Sequence, residues 1–414
     1  MIAVMRAIST FTAASGLHMN KMKSNVYGNG LESGLLEKFA SVTGLKIGKL
    51  PFKYLGVPIS AKKLSTLDCN ILVDRIVDRI RALGAKKLSY AGRLVLINSV
   101  LGTLHSYWAR IYIIPSSIMA KIESTCRSFL WKGDAHSHSN ALVSWKQVCL
   151  PKEQGGLGVC DIRRWNVAAV GKYVWWVMDK KDHLWVKWVH CTYLKSVSWT
   201  DYKPPQSSSW AWKRICRVKD LLISGYIQHD WLEKDAPYSI SSGYKWLGTE
   251  ASNVPWYKHV WITAGIPKHQ FISWLYVQQR LLTKDRVQRL FHSNDTECAL
   301  CGEEDESHDH LFFHCPYSRK CLQQVQEWSN LAIPERQVVS WWQAHDKSKG
   351  VFTSLVVMAL VYHIWWARNH CRFQQYHDIS PDDIGNRHCH PRNGFSCIQA
   401  GPDWARLLVA SLQS

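Results

Sequence analysis

The chain has 414 residues, with 51 Lys and Arg against 32 Asp and Glu (net charge +19), 22 Trp and 13 Cys. With 46% hydrophobic and 20% charged residues it can bury real cores, which excludes a disordered chain, and its length implies two or three domains. A basic, Trp-rich composition is a poor fit to a neutral metabolic enzyme and fits a polyanionic partner such as nucleic acid.

The charge is uneven. Residues 1–150 hold 20 basic and 7 acidic residues, whereas 151–240 hold 14 and 9, 241–330 hold 9 and 10, and 331–414 hold 8 and 6. The basic surface therefore belongs to the first third.

In chain order, residues 11–24 (FTAASGLHMNKMKS) predict a helix end, a stop at Gly16 and a short basic exit. Residues 51–58 (PFKYLGVP) predict an apolar, strand-like run pinned between two prolines. Leu72, Ile76, Ile80 and Leu83 recur at helical spacing with Arg75, Arg79 and Arg81 off that stripe, which predicts an amphipathic helix with a basic polar side. Residues 88–101 predict a second helix with Arg93 near its start. Residues 151–158 (PKEQGGLG) form a glycine-rich turn without the GxxxxGK[ST] spacing of a phosphate-binding loop. Residues 163–178 predict a helix with a broad aromatic face from Trp165, Tyr173, Trp175 and Trp176, and the Pro/Ser-rich 203–209 predict a linker with a boundary near it.

The best membrane candidate, Val351 to Ala367, is interrupted by Thr353, Ser354 and His363 and is shorter than the roughly 20 residues a span needs. It predicts a buried helix. The first 16 residues lack a sustained apolar core, so no signal peptide is expected. The odd cysteine count without a dense, regular spacing predicts reduced thiols in an intracellular protein. No internal repeat stands out.

The most chemical stretch is Cys298-x-x-Cys301, then eight residues, then His310-x4-Cys315. A Cys-x-x-Cys turn presents two thiolates to one ion, Gly302 lets the chain bend away, and His310 and Cys315 return on a second element to close a tetrahedron. Zinc is the natural occupant of a Cys3His set, and four protein ligands leave no open position, so the zinc is structural. The competing readings are a chance Cys/His cluster or a redox thiol pair. His308 and His314 are rival nitrogen donors, though His314 adjoins Cys315 and would strain the chelate. The acidic run Glu303 to Glu306 is expected to solvate the ligand loop. A second grouping, His388, His390 and Cys397, lacks paired spacing.

Several motifs resemble the C-terminal half of plant non-LTR (LINE-type) retrotransposon polyproteins. Cys298, Cys301, Glu306-Ser307, His310-Leu311-Phe312 and Cys315 resemble the reverse-transcriptase zinc-binding domain. Upstream, Trp256-Tyr-Lys-His-Val-Trp261, Ile266-Pro-Lys-His-Gln-Phe271, Trp274-Leu275 and Leu282-Thr-Lys-Asp-Arg286 resemble its aromatic helical framework. The run 88–101, Phe129-Leu-Trp131, Trp145-Lys146 and Asn166-Val-Ala-Ala-Val-Gly-Lys172 are similar to the connecting region behind the polymerase palm, and Tyr362 to Asn369 is similar to a helix that follows the zinc domain. The resemblance covers roughly 10–320, with that later helix beyond it.

One departure matters. The paired aspartates that hold two Mg2+ for nucleotidyl transfer, in the family's Tyr/Phe-Ala-Asp-Asp motif, do not occur. The sole Asp-Asp, Asp382-Asp383, reads as a turn, and residue 1 reads as starting just past the missing hairpin.

The expected fold is mainly α with a small zinc-stabilised module, multidomain and with few short strands near 51–59 and at the zinc loop. The expected domains are a basic thumb-like remnant (1–150), a Trp-rich connecting region (151–235), a zinc-binding domain (236–325), a helical extension (326–376) and an irregular tail (377–414). What the resemblance implies is a non-catalytic remnant that binds RNA or DNA mostly through phosphates, in the nucleus or cytoplasm, without membrane contact. Lys21, Lys23, Lys46, Lys49, Lys53, Lys62, Lys63, Lys86, Lys87 and Arg93 are the candidate contacts. The alternatives are a domesticated protein-interaction scaffold built on the zinc module, or a truncated product with no cellular role.

Overall fold

A computed structural model of the chain describes residues 2–28, 31, 33–54, 57–59, 65–82, 88–100, 106–134, 141–228, 237–248, 252–331, 333 and 350–374. Its elements are α1 (Ile2–Ser15), β1 (Asn25–Val26), α2 (Ser33–Thr43), β2 (Lys46–Ile47), β3 (Phe52–Tyr54), β4 (Val57–Ile59), α3 (Thr66–Ala82), α4 (Tyr90–Val100), α5 (Ser106–Ile111), α6 (Ser116–Lys132), α7 (Trp145–Val148), α8 (Ile162–Met178), α9 (Leu184–Val189), α10 (Trp210–Gln228), α11 (Ile240–Trp246), α12 (Tyr257–Val260), α13 (Pro267–Val277), α14 (Lys284–Phe291), α15 (Pro316–Ser329) and α16 (Gly350–Gln374). The fold is mainly helical. Among the described residues the strands form two two-stranded pairs, β1–β2 parallel and β3–β4 antiparallel.

Local chemistry sets the element ends. Gly16 takes a positive φ of 69° and returns its N–H to Thr12 O at 2.9 Å, which closes α1. Ser65 and Asp68 cap α3 reciprocally: the Asp68 N–H donates to Ser65 Oγ at 3.1 Å and the Ser65 N–H to Asp68 Oδ2 at 3.0 Å. The Ser65 hydroxyl and N–H hold the Asp68 carboxyl below its ordinary pKa. Leu72, Ile76 and Ile80 are buried as the periodicity requires, and Arg75, Arg79 and Arg81 are exposed. Asp74 and Asp78 share that exposed side, so it is mixed in sign rather than basic.

The chain forms two units, each assembled from separated segments: 1–75, 104–120 and 163–247 in one, and 76–103, 121–162 and 248–414 in the other. In the first, one core contains Val174, Trp175, Leu194, Trp199, Tyr202, Trp212 and Leu222. Trp199 and Tyr202 precede the Pro/Ser-rich segment and Trp212 follows it, with Trp199 and Trp212 stacked at 5.4 Å. The segment is therefore a surface loop on a continuous core. Gly171 lets the helices close up, because a Cβ there would stand 2.4 Å from both Leu222 Cδ1 and the Tyr238 hydroxyl. Asn166 is buried on the same helix. Its amide donates to Ala109 O and Tyr112 O, both at 2.8 Å, and accepts from the Ile114 N–H at 3.0 Å.

In the second unit, α13 packs along α16 and against α4. Trp274 is fully buried and donates its indole N–H to Gly155 O at 2.9 Å. Glycine in this turn is required by the turn's own backbone: a Cβ on Gly156 would fall 1.9 Å from Leu150 O. Arg93 turns inward, donating to Leu130 O at 3.3 Å and lying over the Tyr90 ring at 5.1 Å.

The apolar stretch expected to be shorter than a span belongs to the 25-residue α16, of which Gly350–Arg372 is long and apolar enough to cross a membrane by length and composition. Ten of those 23 residues are buried inside the unit, including the consecutive run Val356 to Val361 and Arg368.

Candidate metal centre

The site is built on a short hairpin. Glu297 bridges Asp305 in antiparallel fashion, the Cys298 N–H donates to Glu304 O at 2.7 Å, and the Glu306 N–H to Thr296 O at 2.7 Å. At the tip the Gly302 N–H returns to Cys298 O at 2.9 Å with φ +68°, a left-handed turn that glycine adopts without penalty. Cys298 and Cys301 thereby sit on one knuckle. The chain returns through a π-helical turn, His310–His314, which the Cys315 N–H closes onto His310 O at 2.7 Å, and Pro316 begins α15.

One ligand atom from each of Cys298, Cys301, His310 and Cys315 lies within 4.8 Å of all the others. Cys298 Sγ is 4.0 Å from Cys315 Sγ, and Cys301 Sγ is 3.3 Å from His310 Nε2. A tetrahedral ion with metal–sulfur bonds of about 2.3 Å requires sulfur atoms roughly 3.8 Å apart. Soft and borderline donors at this spacing, three of the four residues buried, fit a structural zinc.

Thiol electrostatics follow from the same geometry. Sharing a proton with Cys315, together with burial, pushes the Cys298 thiol up, while backbone N–H groups of Cys301 and Leu300 oppose this. Cys315 is shifted down by the Cys298 thiol, against burial, helped by the Ser318 and Tyr317 N–H groups at the start of α15.

His310 is oriented by Glu304: its Nδ1–H donates to Glu304 Oε2 at 2.9 Å, which leaves the Nε2 lone pair facing the thiols. His308 is placed differently, with Nε2 donating to Tyr276 O at 3.1 Å and its ring stacked on Tyr276 at 4.8 Å. Burial pushes its pKa down. His314 is exposed.

The acidic run departs from expectation. Glu303 and Asp305 are exposed, but Glu306 is 1% exposed and does not solvate the loop. Its carboxylate accepts from the Lys284 N–H at 2.9 Å, the Ala299 N–H at 3.4 Å, and Arg368 Nε and Nη2 at 2.6–3.1 Å. Glu304, Glu306 and Arg368 are the site residues that ligand spacing alone does not single out. The available signal was an arginine following the long apolar run of α16, which needs a carboxylate wherever it is buried.

Of the first-third contacts, Lys21, Lys23, Lys46, Lys49 and Lys53 are all exposed. The β1–β2 ladder sets Lys46 opposite Asn25, and Tyr27 stacks on Phe52 at 4.0 Å, so these five lysines surround one small structure. Lys62, Lys63, Lys86 and Lys87 lie outside the described residues, as do Asp382-Asp383 and the His388, His390 and Cys397 grouping.

The fold and site define a helical protein carrying a small Cys3His zinc module. Residues 238–321 match the family described as zinc-binding in reverse transcriptase. The chain is also similar to an Arabidopsis thaliana protein provisionally named a ribonuclease H protein, 30% identical over 158 residues, which is 37% of this chain and 26% of that protein. It is 25% identical over 109 residues to an uncharacterized mitochondrial protein of Arabidopsis thaliana, covering 26% of this chain and 71% of the relative. The match thus spans about a quarter of the ribonuclease H protein's length. Together these findings fit the C-terminal region of a plant retrotransposon reverse transcriptase.

Proposed function

We propose that this chain is a non-catalytic nucleic-acid-binding derivative of a retrotransposon-encoded reverse transcriptase, whose zinc module is structural. The observation that carries the reading is the group of five exposed lysines around β1–β2–β3, in a chain that also holds a reverse-transcriptase zinc-binding segment. Exposed ammonium groups neutralise phosphates and release condensed counterions without reading sequence. Arg93 is not in this set, because its guanidinium is engaged with Leu130 O and the Tyr90 ring. The zinc set supports a structural role, since four protein ligands leave no position at which water or substrate would be activated.

Polymerase activity is tested by primer extension on the purified, zinc-loaded chain with Mg2+, a primed RNA template and deoxynucleotides. No incorporation is expected; template-dependent extension would overturn the non-catalytic reading.

A further inference from the structure

Three tryptophans of the first unit stand outside its closed core. Trp176, Trp185 and Trp210 are half-buried and, with Tyr173 and His183, line a cleft of about 240 Å3. Ring contacts and one hydrogen bond brace the wall. Tyr173 meets Trp176 and Trp185 edge to face at 5.6 and 5.8 Å, and its hydroxyl donates to Arg110 O at 2.6 Å. A second, wider pocket of about 700 Å3 shares Ile113, Trp210 and Arg214 with the first and adds Arg163. Arg214 lies over the Trp210 ring at 5.5 Å, and Lys172 lies over the Trp176 ring at 4.9 Å. Among the described residues, neither pocket is lined by an Asp or a Glu.

An aromatic slot opening onto guanidinium groups, with no carboxylate in its lining, selects a planar ring attached to an anion. We propose that this cleft holds an unpaired nucleotide of a single-stranded nucleic acid, its base among Trp176, Trp185 and Trp210 and its phosphate at Arg214. Every base offers a π-face, so such a site is tolerant of sequence, and the cations at its rim match the overall charge of +19. A duplex keeps its base faces stacked on one another and cannot enter. The inference rests on the nucleic-acid reading above and adds to it a preference for strand state and a second site apart from the lysines.

The test is fluorescence anisotropy with a labelled 12-nucleotide single strand, the matching duplex and a free nucleoside monophosphate, using the zinc-loaded full chain at low salt. The variants are Trp210→Ala and, because removing a ring also removes packing, Arg214→Gln, both checked by thermal melting. Each variant is expected to bind the single strand roughly tenfold more weakly, the order expected for one stacked base, with duplex affinity unchanged. Arg214→Gln should also reduce the salt slope by about one. Unchanged single-strand affinity in an Arg214→Gln protein of normal stability would overturn the cleft assignment, as would equal weakening for strand and duplex. A monophosphate that binds as tightly as the strand would overturn the strand assignment. If the unaltered chain binds neither strand nor duplex, the nucleic-acid reading itself fails.

Discussion

Arg368 and Glu306, 62 residues apart in sequence, form a charge pair with three N–H···O contacts of 2.6–3.1 Å and almost no solvent exposure on either partner. The carboxylate also caps the first N–H of α14 and reaches the knuckle at Ala299. One buried ion pair therefore ties α16, α14 and the zinc hairpin together.

Removing either partner leaves a buried charge uncompensated, which typically costs about 3–5 kcal/mol. Arg368→Met and Glu306→Gln are each expected to lower the opening free energy of residues 296–315 on that scale, read by amide hydrogen exchange. The double variant Glu306→Leu/Arg368→Met should cost less than the sum of the two single changes, because no charge is then stranded. Single variants with unchanged protection would show that the pair does not hold the module.

The zinc ligands separate from their rivals by metal content. Cys298→Ser and His310→Ala should each abolish stoichiometric zinc and unfold 290–320 while leaving the helices of the other unit protected, because metal affinity in such a module is folding free energy, on the order of 10 kcal/mol. His308→Ala should retain one zinc per chain, since its Nε2 is occupied by Tyr276 O. Glu304→Gln should weaken zinc binding about 10- to 100-fold through the orientation of His310. Full zinc retention in His310→Ala would refute the ligand set.

A buried histidine, His269, and its half-buried neighbour His363 make the α13–α16 packing acid-sensitive. His269 is 3% exposed, with the tilted Tyr362 ring at 4.4 Å and the His363 ring edge-on at 5.8 Å. Burial, then His363 and Lys268, lowers its pKa to about 3, and burial with Lys268 lowers that of His363. In the unfolded chain each titrates near 6.5, so the unfolded state binds protons that the folded state refuses. Stability is complete above about pH 6.5 and falls as pH drops toward 3, by about 1.4 kcal/mol per unit for each proton. His269→Phe should flatten part of this slope in denaturant midpoints measured from pH 7 to 4; an unaltered slope would exclude His269 as its source.

The sequence made much of the centre legible because ligation chemistry requires fixed residue types at fixed spacing: Cys298, Cys301, His310 and Cys315 converge as their order suggests. The α3 stripe and the Gly16 stop were equally readable, since each depends on neighbours within a turn. What escaped depends on distant partners. Glu306 looks like part of a solvated acidic run until Arg368 arrives from α16, and the Pro/Ser-rich 203–209 look like a linker until Trp199 and Trp212 stack across them. The inward contact of Arg93 escaped for the same reason, because Leu130, 37 residues further on, is not visible from its own helix.

The central claim is that the exposed lysines of the first third bind nucleic-acid phosphates, and the most direct measurement is affinity against salt. With labelled single-stranded RNA or DNA, log affinity of the full chain should fall linearly with log salt. Replacing Lys21, Lys23, Lys46, Lys49 and Lys53 together by Gln should reduce the magnitude of that slope by about 3–4, the loss of five phosphate contacts. A salt-independent affinity, an unchanged slope in the five-lysine variant, or no binding at low salt would contradict the account.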